Sequence, residues 1–463
     1  MLSGRGRQFR TRQLWTRQLW TTSRGVAVAM LMRLWQVVAG PVTAYLIASH
    51  FTPELQGLFY LFGALLAVQA LFDLGLTGVL ISLSTREWDA ALADDAAARA
   101  RLGELLRRSR AWFAGLAVGF ALVVTPLGLW FLDEPVVAGI NWQPAWVVAS
   151  LATAAAVALL PGVGVIEGRF VTAVNVMRLA QAVLGNVVVW SLIAAGAGIW
   201  TVAASSVVRL LCEVALVAGW FGPLLRSLRR AEPPAGEEAT MWTSTVRPLQ
   251  WRIGIQSLAN YLASQTFTLV VGKTDSVAAA GRMGMTWNIL MAVQQTALAW
   301  LQVRLPSIGT AVAAGDVAAA RSLLRRTVLL TGLFQTLGVV ALVGLRLLLG
   351  QWRPDLADRL LDVGAIALFG LSLGLHNVLI CWITYVRLYR IEPFVRPALI
   401  GTSVMAAAVL TGATLDGARG LAVAHLAVML AVYYPLNWPV IRRELAVVEA
   451  AATEAAATEA ASQ

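Results

Sequence analysis

Twelve long apolar runs constrain the fold of this chain more than any other feature. Each is close to the roughly 20 residues that an α-helix needs to cross the hydrocarbon core of a bilayer. Membrane β-barrel strands are about 10 residues long and alternate in polarity, whereas these runs are continuous. The sequence therefore predicts an all-α integral membrane protein with twelve transmembrane helices. The runs cover residues 25–49, 57–84, 111–132, 145–166, 171–195, 199–221, 250–272, 281–304, 327–349, 360–386, 394–415 and 420–440.

The composition agrees with a protein that stays in the bilayer. Of the 463 residues, 58% are hydrophobic and only 13% are charged, which excludes an ordinary soluble domain. The first run is longer than the apolar region of a signal peptide and contains Arg33. We therefore expect it to remain in the mature protein as a membrane anchor.

Arginine is concentrated on one side of the predicted membrane. The connections after the first, third and fifth runs contain no Lys or Arg, and by the positive-inside rule this asymmetry predicts that both termini are cytoplasmic. We interpret the net charge of +11 as topology and contact with anionic membrane lipids, not as nucleic-acid binding. The arginine clusters lie within residues 5–24, 86–110, 226–247, 321–326, 387–396 and 442–443.

The chain is predicted to form two lobes of six spans each. A Leu-Leu-Arg-Arg motif follows the second run at 105–108 and recurs six runs later at 323–326. Two halves with the same orientation predict a pseudo-twofold axis along the membrane normal, with the transport site between the lobes. The predicted segments are a basic cytoplasmic leader (1–24), an N-lobe with spans 1–6 (25–222), a cytoplasmic linker (223–249), a C-lobe with spans 7–12 (250–441) and an Ala- and Glu-rich cytoplasmic tail (442–463).

The first two runs carry one opposite charge each, Arg33 and Asp73. Each residue lies twenty positions from Pro53, in the loop that joins the runs, which corresponds to about 30 Å of helix. In an antiparallel pair of helices the two side chains would lie at the same depth. Because a charge inside a bilayer is costly unless it has a partner or faces water, this pair is a candidate functional site.

Spans 7 and 8 each carry polar side chains at a helical spacing, every fourth residue in span 7 and every seventh in span 8. Such a stripe on a lipid-facing surface would be costly. It therefore indicates either amide hydrogen bonds between helices or the lining of an aqueous cavity. The stripe residues are Arg252, Gln256, Asn260 and Ser264 in span 7, and Asn288, Gln295 and Gln302 in span 8.

Three further charged residues lie in spans 5 and 6. Arg209 and Glu213 are one helical turn apart in span 6, so they can pair with each other or face a cavity. Arg178 lies about two turns into span 5, from where its side chain can extend to the membrane interface. All three are candidate substrate-binding or ion-coupling residues.

Cysteine and histidine are too sparse and scattered to predict a metal centre or a disulfide framework. Cys212 and Cys381 fall inside apolar runs, where cysteine packs as a small apolar residue. His50, His376 and His425 are far apart in sequence. Neither a Gly-rich nucleotide loop nor a pairing of nucleophile and base is present. The sequence thus predicts no metal, no cofactor and no enzymatic activity.

Several short motifs resemble the bacterial polysaccharide flippases of the Wzx type. This family belongs to the MATE-like multidrug/oligosaccharidyl-lipid/polysaccharide exporter superfamily. Its members often show a Pro-Glu-x-x-Gly loop and an Asp-Leu-Gly in the second helix. The predicted number of spans, twelve, also resembles this branch more than the lipid II flippase branch, whose members have fourteen. The matching motifs are residues 53–57, 73–75, 161–169, 196–200, 305–306 and 315–316.

The resemblance implies a flippase that moves a polyprenyl-pyrophosphate-linked oligosaccharide across the bacterial inner membrane by alternating access. The glycan would serve a cell-surface polysaccharide such as the O-antigen of lipopolysaccharide or an exopolysaccharide. Because guanidinium groups bind phosphate oxygens bidentately, Arg33 and Arg252 are the leading ligands. Transport would be powered by an ion gradient, with H⁺ or Na⁺ as candidate counter-ions, or by the membrane potential, and protonation of Asp73 or Glu213 is a candidate coupling step. A polysaccharide polymerase is a candidate partner.

Two other functions stay open. A cation-coupled multidrug exporter of the MATE type would favour a cavity with more acidic than basic groups, and here the charge balance is the reverse. A membrane-embedded glycosyltransferase or polymerase would need a large extracytoplasmic loop or a catalytic acidic cluster. No loop on that side exceeds roughly 15 residues when spans of about 20 residues are assigned, so this alternative is disfavoured.

Overall fold

The computed structural model describes residues 22–73, 75–133, 139–231, 261, 266–389 and 391–462. Within these ranges the side chains of residues 22–24, 26, 29, 33 and 449–462 are not described. Every regular element in the described ranges is a helix. The predicted all-α class is therefore confirmed.

The helices follow one another closely in the first half of the chain. Helix α8 continues as a single π-helical stretch, Ala215–Trp220, before the next helix begins. The helices are α1 (Thr22–His50), α2 (Pro53–Leu66), α3 (Gln69–Asp73), α4 (Leu76–Leu92), α5 (Ala96–Phe131), α6 (Gln143–Glu167), α7 (Val171–Ala194), α8 (Trp200–Val214) and α9 (Gly222–Arg229).

The second half contains longer helices. Its last long helix also passes through a π-helical stretch, Met429–Tyr433, before the chain's terminal helix. The helices are α10 (Thr266–Thr274), α11 (Val277–Ala313), α12 (Val317–Trp352), α13 (Pro354–Ala357), α14 (Val363–Arg387), α15 (Val395–Val428) and α16 (Tyr434–Ser462).

In the described ranges, helices long and apolar enough to cross a membrane coincide with ten of the twelve predicted spans. Among the described residues, nine stretches are long and apolar enough to cross a membrane. One of them, Val395–Val448, contains both predicted spans 11 and 12. Helix α11 covers predicted span 8 and α10 the described part of predicted span 7, and neither is among these nine stretches. The chain is therefore a multi-pass membrane protein.

The second predicted span, 57–84, is not one continuous helix. A turn at Ala67 and Val68 ends α2, and Gly75 adopts a left-handed conformation with φ +71° before α4. Between these interruptions lies the five-residue helix α3. Glycine adopts positive φ without the steric cost that other residues incur, so this position suits a helix break. The interruptions leave Gln69 and Asp73 at the two ends of α3, inside the predicted span.

The described residues form two compact units. The first lies within Met1–Phe51 and Leu65–Leu258, and the second within Thr52–Ala64 and Ala259–Gln463. Most of α2 therefore packs with the second unit, although the sequence pattern assigns it to the first six spans. In that unit the Gln56 amide donates to the carbonyl oxygens of Gly281 and Arg359, each at 3.0 Å. The predicted lobe boundaries at 222 and 250 stay a prediction.

In the first unit, α4 and α6 pack through a large buried side chain. Trp88 is fully buried, and its Nε1 donates to the carbonyl oxygen of Val165 at 2.7 Å. Helix α9 packs equally closely on α5, because a Cβ at Gly103 would lie 2.1 Å from the carbonyl oxygen of Leu228. These contacts hold α4 against α6 and α9 against α5.

In the second unit, α15 is two helical arms joined at Asp416 and Gly417. These two residues have non-helical backbone angles, with φ +48° and ψ −133° at Gly417. The arms touch closely, since a Cβ at Gly412 would lie 2.6 Å from the carbonyl oxygen of Gly420. Predicted spans 11 and 12 are therefore a tight helical hairpin with a two-residue turn.

Candidate functional site

Arg209 and Glu213 on α8 form an ion pair inside a membrane-spanning stretch of the first unit. The distance from Arg209 Nε to Glu213 Oε1 is 3.1 Å. The Glu213 side chain is 5% exposed, whereas that of Arg209 is 34% exposed. Their spacing of four residues places them on the same face of the helix. The pair is thus buried at its acidic end and open at its basic end.

Two glutamines complete this arrangement, which we call the Arg209 network: Gln69, Gln181, Arg209 and Glu213. Arg209 Nη1 donates to Gln69 Oε1 at 2.9 Å. Gln181 Nε2 donates to Glu213 Oε1 at 3.3 Å and to the carbonyl oxygen of Arg209 at 3.2 Å. Because Gln69 begins the short helix α3, the break in the second span positions its amide on the guanidinium.

The Arg209 network leaves two polar atoms open. Within the described ranges, Arg209 Nη2 has no hydrogen-bond partner, and the buried Glu213 Oε2 has none either. A guanidinium held at Nε and Nη1 keeps a fixed orientation for its third nitrogen. Such a donor can bind an anionic oxygen without first losing side-chain freedom.

Arg178 forms an ion pair with a glutamate of the preceding helix. Its Nη1 and Nη2 donate to the two carboxylate oxygens of Glu167 at 2.7 and 2.8 Å. Glu167 ends α6 and is 12% exposed, whereas Arg178 is 41% exposed. Because Arg178 lies on α7, this two-point ion pair joins α6 to α7.

Asp73 lies at the end of α3 and bonds to the start of α4. Its Oδ1 accepts from the backbone nitrogen of Thr77 at 3.1 Å and from Thr77 Oγ1 at 2.7 Å. A carboxylate in this position satisfies a backbone donor of the first helical turn. The Arg33 side chain lies outside the described residues, so its pairing with Asp73 stays a prediction.

The predicted polar stripes are only partly described. The span 7 stripe, which comprises Arg252, Gln256, Asn260 and Ser264, lies outside the described residues. On α11, Asn288, Gln295 and Gln302 are all exposed. Asn288 Nδ2 donates to the carbonyl oxygen of Gly284 at 2.8 Å, one turn back on the same helix. The exposed stripe is therefore not used for packing within its own unit.

Several polar residues of the site were not singled out from the sequence. Gln69 and Gln181 each stand in an apolar run, and this isolation was the available signal. Gln294, next to the predicted Gln295, is 5% exposed, and within the described ranges its Nε2 has no partner. Only the packing of the helices distinguishes the buried member of this glutamine pair from the exposed one.

The described residues include no group of three or more His, Cys, Asp or Glu side chains that could hold a metal ion. The Arg209 network itself is built from guanidinium, amide and carboxylate groups. A guanidinium and an amide donate hydrogen bonds to phosphate and hydroxyl oxygens. A carboxylate of Glu213 can bind or release a proton or a cation. The arrangement can bind a polar or anionic ligand by hydrogen bonds.

The chain matches no protein-family model and no curated protein sequence. Its structure is similar to an inward-facing multidrug resistance MATE family transporter of the MOP superfamily, with a TM-score of 0.59 and 14% identity over 89% of this chain and 98% of the other. It is also similar to the lipid II flippase MurJ in an inward closed conformation. That match has a TM-score of 0.62 and 10% identity, and it covers 93% of this chain and 90% of the other.

A mutant of the Vibrio cholerae MATE transporter VcmN is also similar, with a TM-score of 0.55 and 15% identity over 93% of this chain and 98% of the other. These identities are low, so the likeness concerns the fold. In each case it extends over most of both chains. The chain has the fold shared by MurJ and the MATE transporters of the MOP superfamily.

Proposed function

We propose that this protein is a flippase that moves a polyprenyl-pyrophosphate-linked oligosaccharide across the bacterial inner membrane. The glycan would be used for a surface polysaccharide such as O-antigen or exopolysaccharide. The observation that carries the proposal is the Arg209 network, in which a guanidinium inside a membrane-spanning stretch is held at Nε and Nη1. Its remaining nitrogen is available for an anionic headgroup.

The chemistry of the substrate explains why a held guanidinium is useful. A pyrophosphate carries negative charge into a region of low dielectric constant, where an uncompensated ion is costly. Charge-assisted hydrogen bonds from arginine are about twice as strong as neutral ones. Gln69 and Glu213 orient Arg209, which reduces the freedom lost when the anion binds.

The predicted ligands Arg33 and Arg252 would add further positive charge along the same path. The exposed amides Asn288 and Gln295 on α11 would donate to sugar hydroxyl groups. Lipid would be an unfavourable neighbour for these amides, which supports an aqueous path beside them. Both termini would be cytoplasmic, as the arginine distribution predicts.

The test uses the full chain reconstituted in liposomes that contain a fluorescent polyprenyl-pyrophosphate-linked oligosaccharide. Dithionite destroys only fluorophores in the outer leaflet, so translocation increases the fraction destroyed over time. We expect translocation by the native chain. In the double variant R209Q/E213Q, the rate should fall at least about tenfold, because one hydrogen bond to a charged group contributes about 1.5–3 kcal/mol.

The double variant removes both charges and so leaves no buried unpaired carboxylate. Arg169→Gln is the matched control, because Arg169 is 50% exposed and pairs with the 83% exposed Asp89. It should transport at the native rate. Equal rates for the native chain and protein-free liposomes, or for the native chain and R209Q/E213Q, would refute the proposal.

A multidrug exporter is the second candidate, and the acidic end of the Arg209 network favours it. Glu213 is buried, and within the described residues its Oε2 has no partner, so it could hold a proton or a cationic drug. Two of the proteins with this fold are MATE transporters, one of them described as a multidrug resistance transporter, which supports an exporter as the second candidate. The same liposomes with ethidium inside distinguish the candidates. Ethidium export under a Na⁺ or H⁺ gradient, without movement of the lipid, would favour the exporter.

A further inference from the structure

The second unit contains a polar cavity that is separate from the Arg209 network. It has a volume of about 580 Å³ and opens between the ends of several helices. These ends lie on the side that the arginine distribution predicts to be extracytoplasmic. Its walls come from the turn between α10 and α11, the segment around α13, and the turn of the α15 hairpin. The volume is within the range of small-molecule binding sites, about 300–1,000 Å³.

Both signs of charge line this cavity, with one more aspartate than arginine. Its lining includes four aspartates, Asp275, Asp358, Asp362 and Asp416, and three arginines, Arg282, Arg346 and Arg419. Some already have structural roles. Arg346 donates to the carbonyl oxygen of Leu361 at 3.3 Å and to Asp358 at 3.2 Å. Asp362 accepts from the backbone nitrogen of Ala365 at the start of α14.

The other four charged side chains have no such role. In the described part of the chain, Asp275, Asp416, Arg282 and Arg419 make no hydrogen bond or ion pair, and all four are exposed. Two acceptor groups and two donor groups thus surround one cavity. Their charges cancel, so neither a simple anion nor a simple cation is favoured over the other.

The backbone at the cavity wall is unusual. Gly417, at the turn of the α15 hairpin, has φ +48° and ψ −133°, a conformation that residues with a side chain rarely adopt. A Cβ at this position would lie 3.2 Å from Asp275 Oδ2. The turn therefore brings the backbone next to the carboxylate of a different helix end. It also places Asp416 and Arg419 on the same wall.

We propose that this cavity binds an uncharged saccharide unit. Each sugar hydroxyl both donates and accepts hydrogen bonds, so one saccharide can satisfy the free carboxylates and the free guanidinium groups together. Leu360, Leu361 and Ala413 supply an apolar surface for the C–H faces of a sugar ring. The inference rests on the proposed flippase function, because the oligosaccharide would meet this site after it crosses the membrane.

The experiment measures saccharide binding to the full chain in lipid nanodiscs by saturation-transfer difference NMR. The probes are N,N′-diacetylchitobiose and maltose, with inorganic pyrophosphate and glycine betaine as an anion and a zwitterion. We expect saturation transfer to at least one saccharide. Its dissociation constant should rise at least fivefold in Asp275→Asn and in Arg419→Gln, because each loses a charged hydrogen-bonding group.

Matched controls keep the test specific. Asp355→Asn and Arg353→Gln make the same chemical changes in a neighbouring pair, 61% and 58% exposed, that does not line the cavity. Both should bind the saccharide as the native chain does. Thr414→Trp is a second kind of cavity variant, which fills space without removing charge and should also raise the dissociation constant at least fivefold.

Three outcomes would overturn the inference: no transfer to either saccharide, equal binding by native and cavity variants, or preferential binding of betaine or pyrophosphate. The result is separable from the flippase test. Lipid translocation with no saccharide binding would refute the saccharide site and leave the proposed flippase function intact. Saccharide binding that depends on the cavity residues, without lipid translocation, would refute the proposed flippase function and support the saccharide site.

Discussion

Arg209 and Glu213 illustrate how one ion pair can serve both stability and recognition. Glu213 is almost fully buried, and its contacts at Oε1 come from Arg209 and Gln181. The desolvation of such a carboxylate is unfavourable, and its attraction to the guanidinium offsets part of that free energy. The pair is therefore needed even when no substrate is bound. Its open Arg209 nitrogen adds a second use for the same residue.

We expect Arg209→Ala to lower the free energy of unfolding by about 3–5 kcal/mol, because it leaves a buried carboxylate without its cation. The double variant Arg209→Ala/Glu213→Ala should recover much of this loss. The measurement is denaturant unfolding of the purified full chain in detergent micelles, arranged as a double-mutant cycle. Additive losses from the two single substitutions would contradict an energetic coupling between these residues.

At the scale of elements, the helices are shaped by where glycine and small residues allow them to break or touch. Gly75 permits the break before α4, and Asp73 caps that helix through Thr77. Gly412 and Gly420 allow the arms of the α15 hairpin to approach. Small residues at such contacts let helices pack closely in a membrane, where apolar burial alone gives little attraction.

We expect Gly412→Val to reduce the thermal stability of the full chain in detergent. A Cβ there would lie 2.6 Å from the carbonyl oxygen of Gly420 and 2.8 Å from the Cβ of Ala424, so the arms must separate. Overpacking of this kind typically costs about 1–3 kcal/mol. Gly332→Val is the control, because no atom lies within 4 Å of a Cβ at Gly332. Equal melting temperatures for both variants would contradict the close contact.

At the scale of the whole molecule, the balance of arginines governs which side of the membrane each connection occupies. The arginine-rich connections contain the start of α5 and the end of α9, whereas the connection before α6 contains no Lys or Arg. The energy cost of moving basic loops across the membrane orients a multi-pass protein as it inserts. The arginine distribution therefore predicts that both termini are cytoplasmic.

We expect a cysteine at Gly139 to react with a membrane-impermeant maleimide added to intact cells, and a cysteine at Arg230 to react only after lysis. The background is a chain with Cys212 and Cys381 replaced by serine. Gly139 and Arg230 are both exposed, so accessibility of the side chain does not limit either reaction. Labelling of Arg230→Cys in intact cells, or protection of Gly139→Cys, would reverse the predicted topology.

Much of the candidate site was predictable as a set of residue types but not as a set of contacts. The spacing of Arg209 and Glu213 indicates a pair, because both lie on one turn of one helix. Gln69 and Gln181 come from distant segments, and their bonds to this pair depend on how α3 and α7 pack against α8. Arg178 looked like an interface residue, and Glu167 was not identified as its partner.

The sequence by itself determined that this chain crosses a membrane many times as helices. Continuous apolar runs of about 20 residues can satisfy their backbone hydrogen bonds inside a bilayer only as helices, because barrel strands are shorter and alternate in polarity. It also determined the segments that form most spans and the likeness of the fold to MATE-type transporters. Tertiary structure alone decided that the second span breaks around α3 and that residues 52–64 pack with the second unit. Such features depend on contacts between helices that are far apart in sequence, and no local pattern of polarity records those contacts.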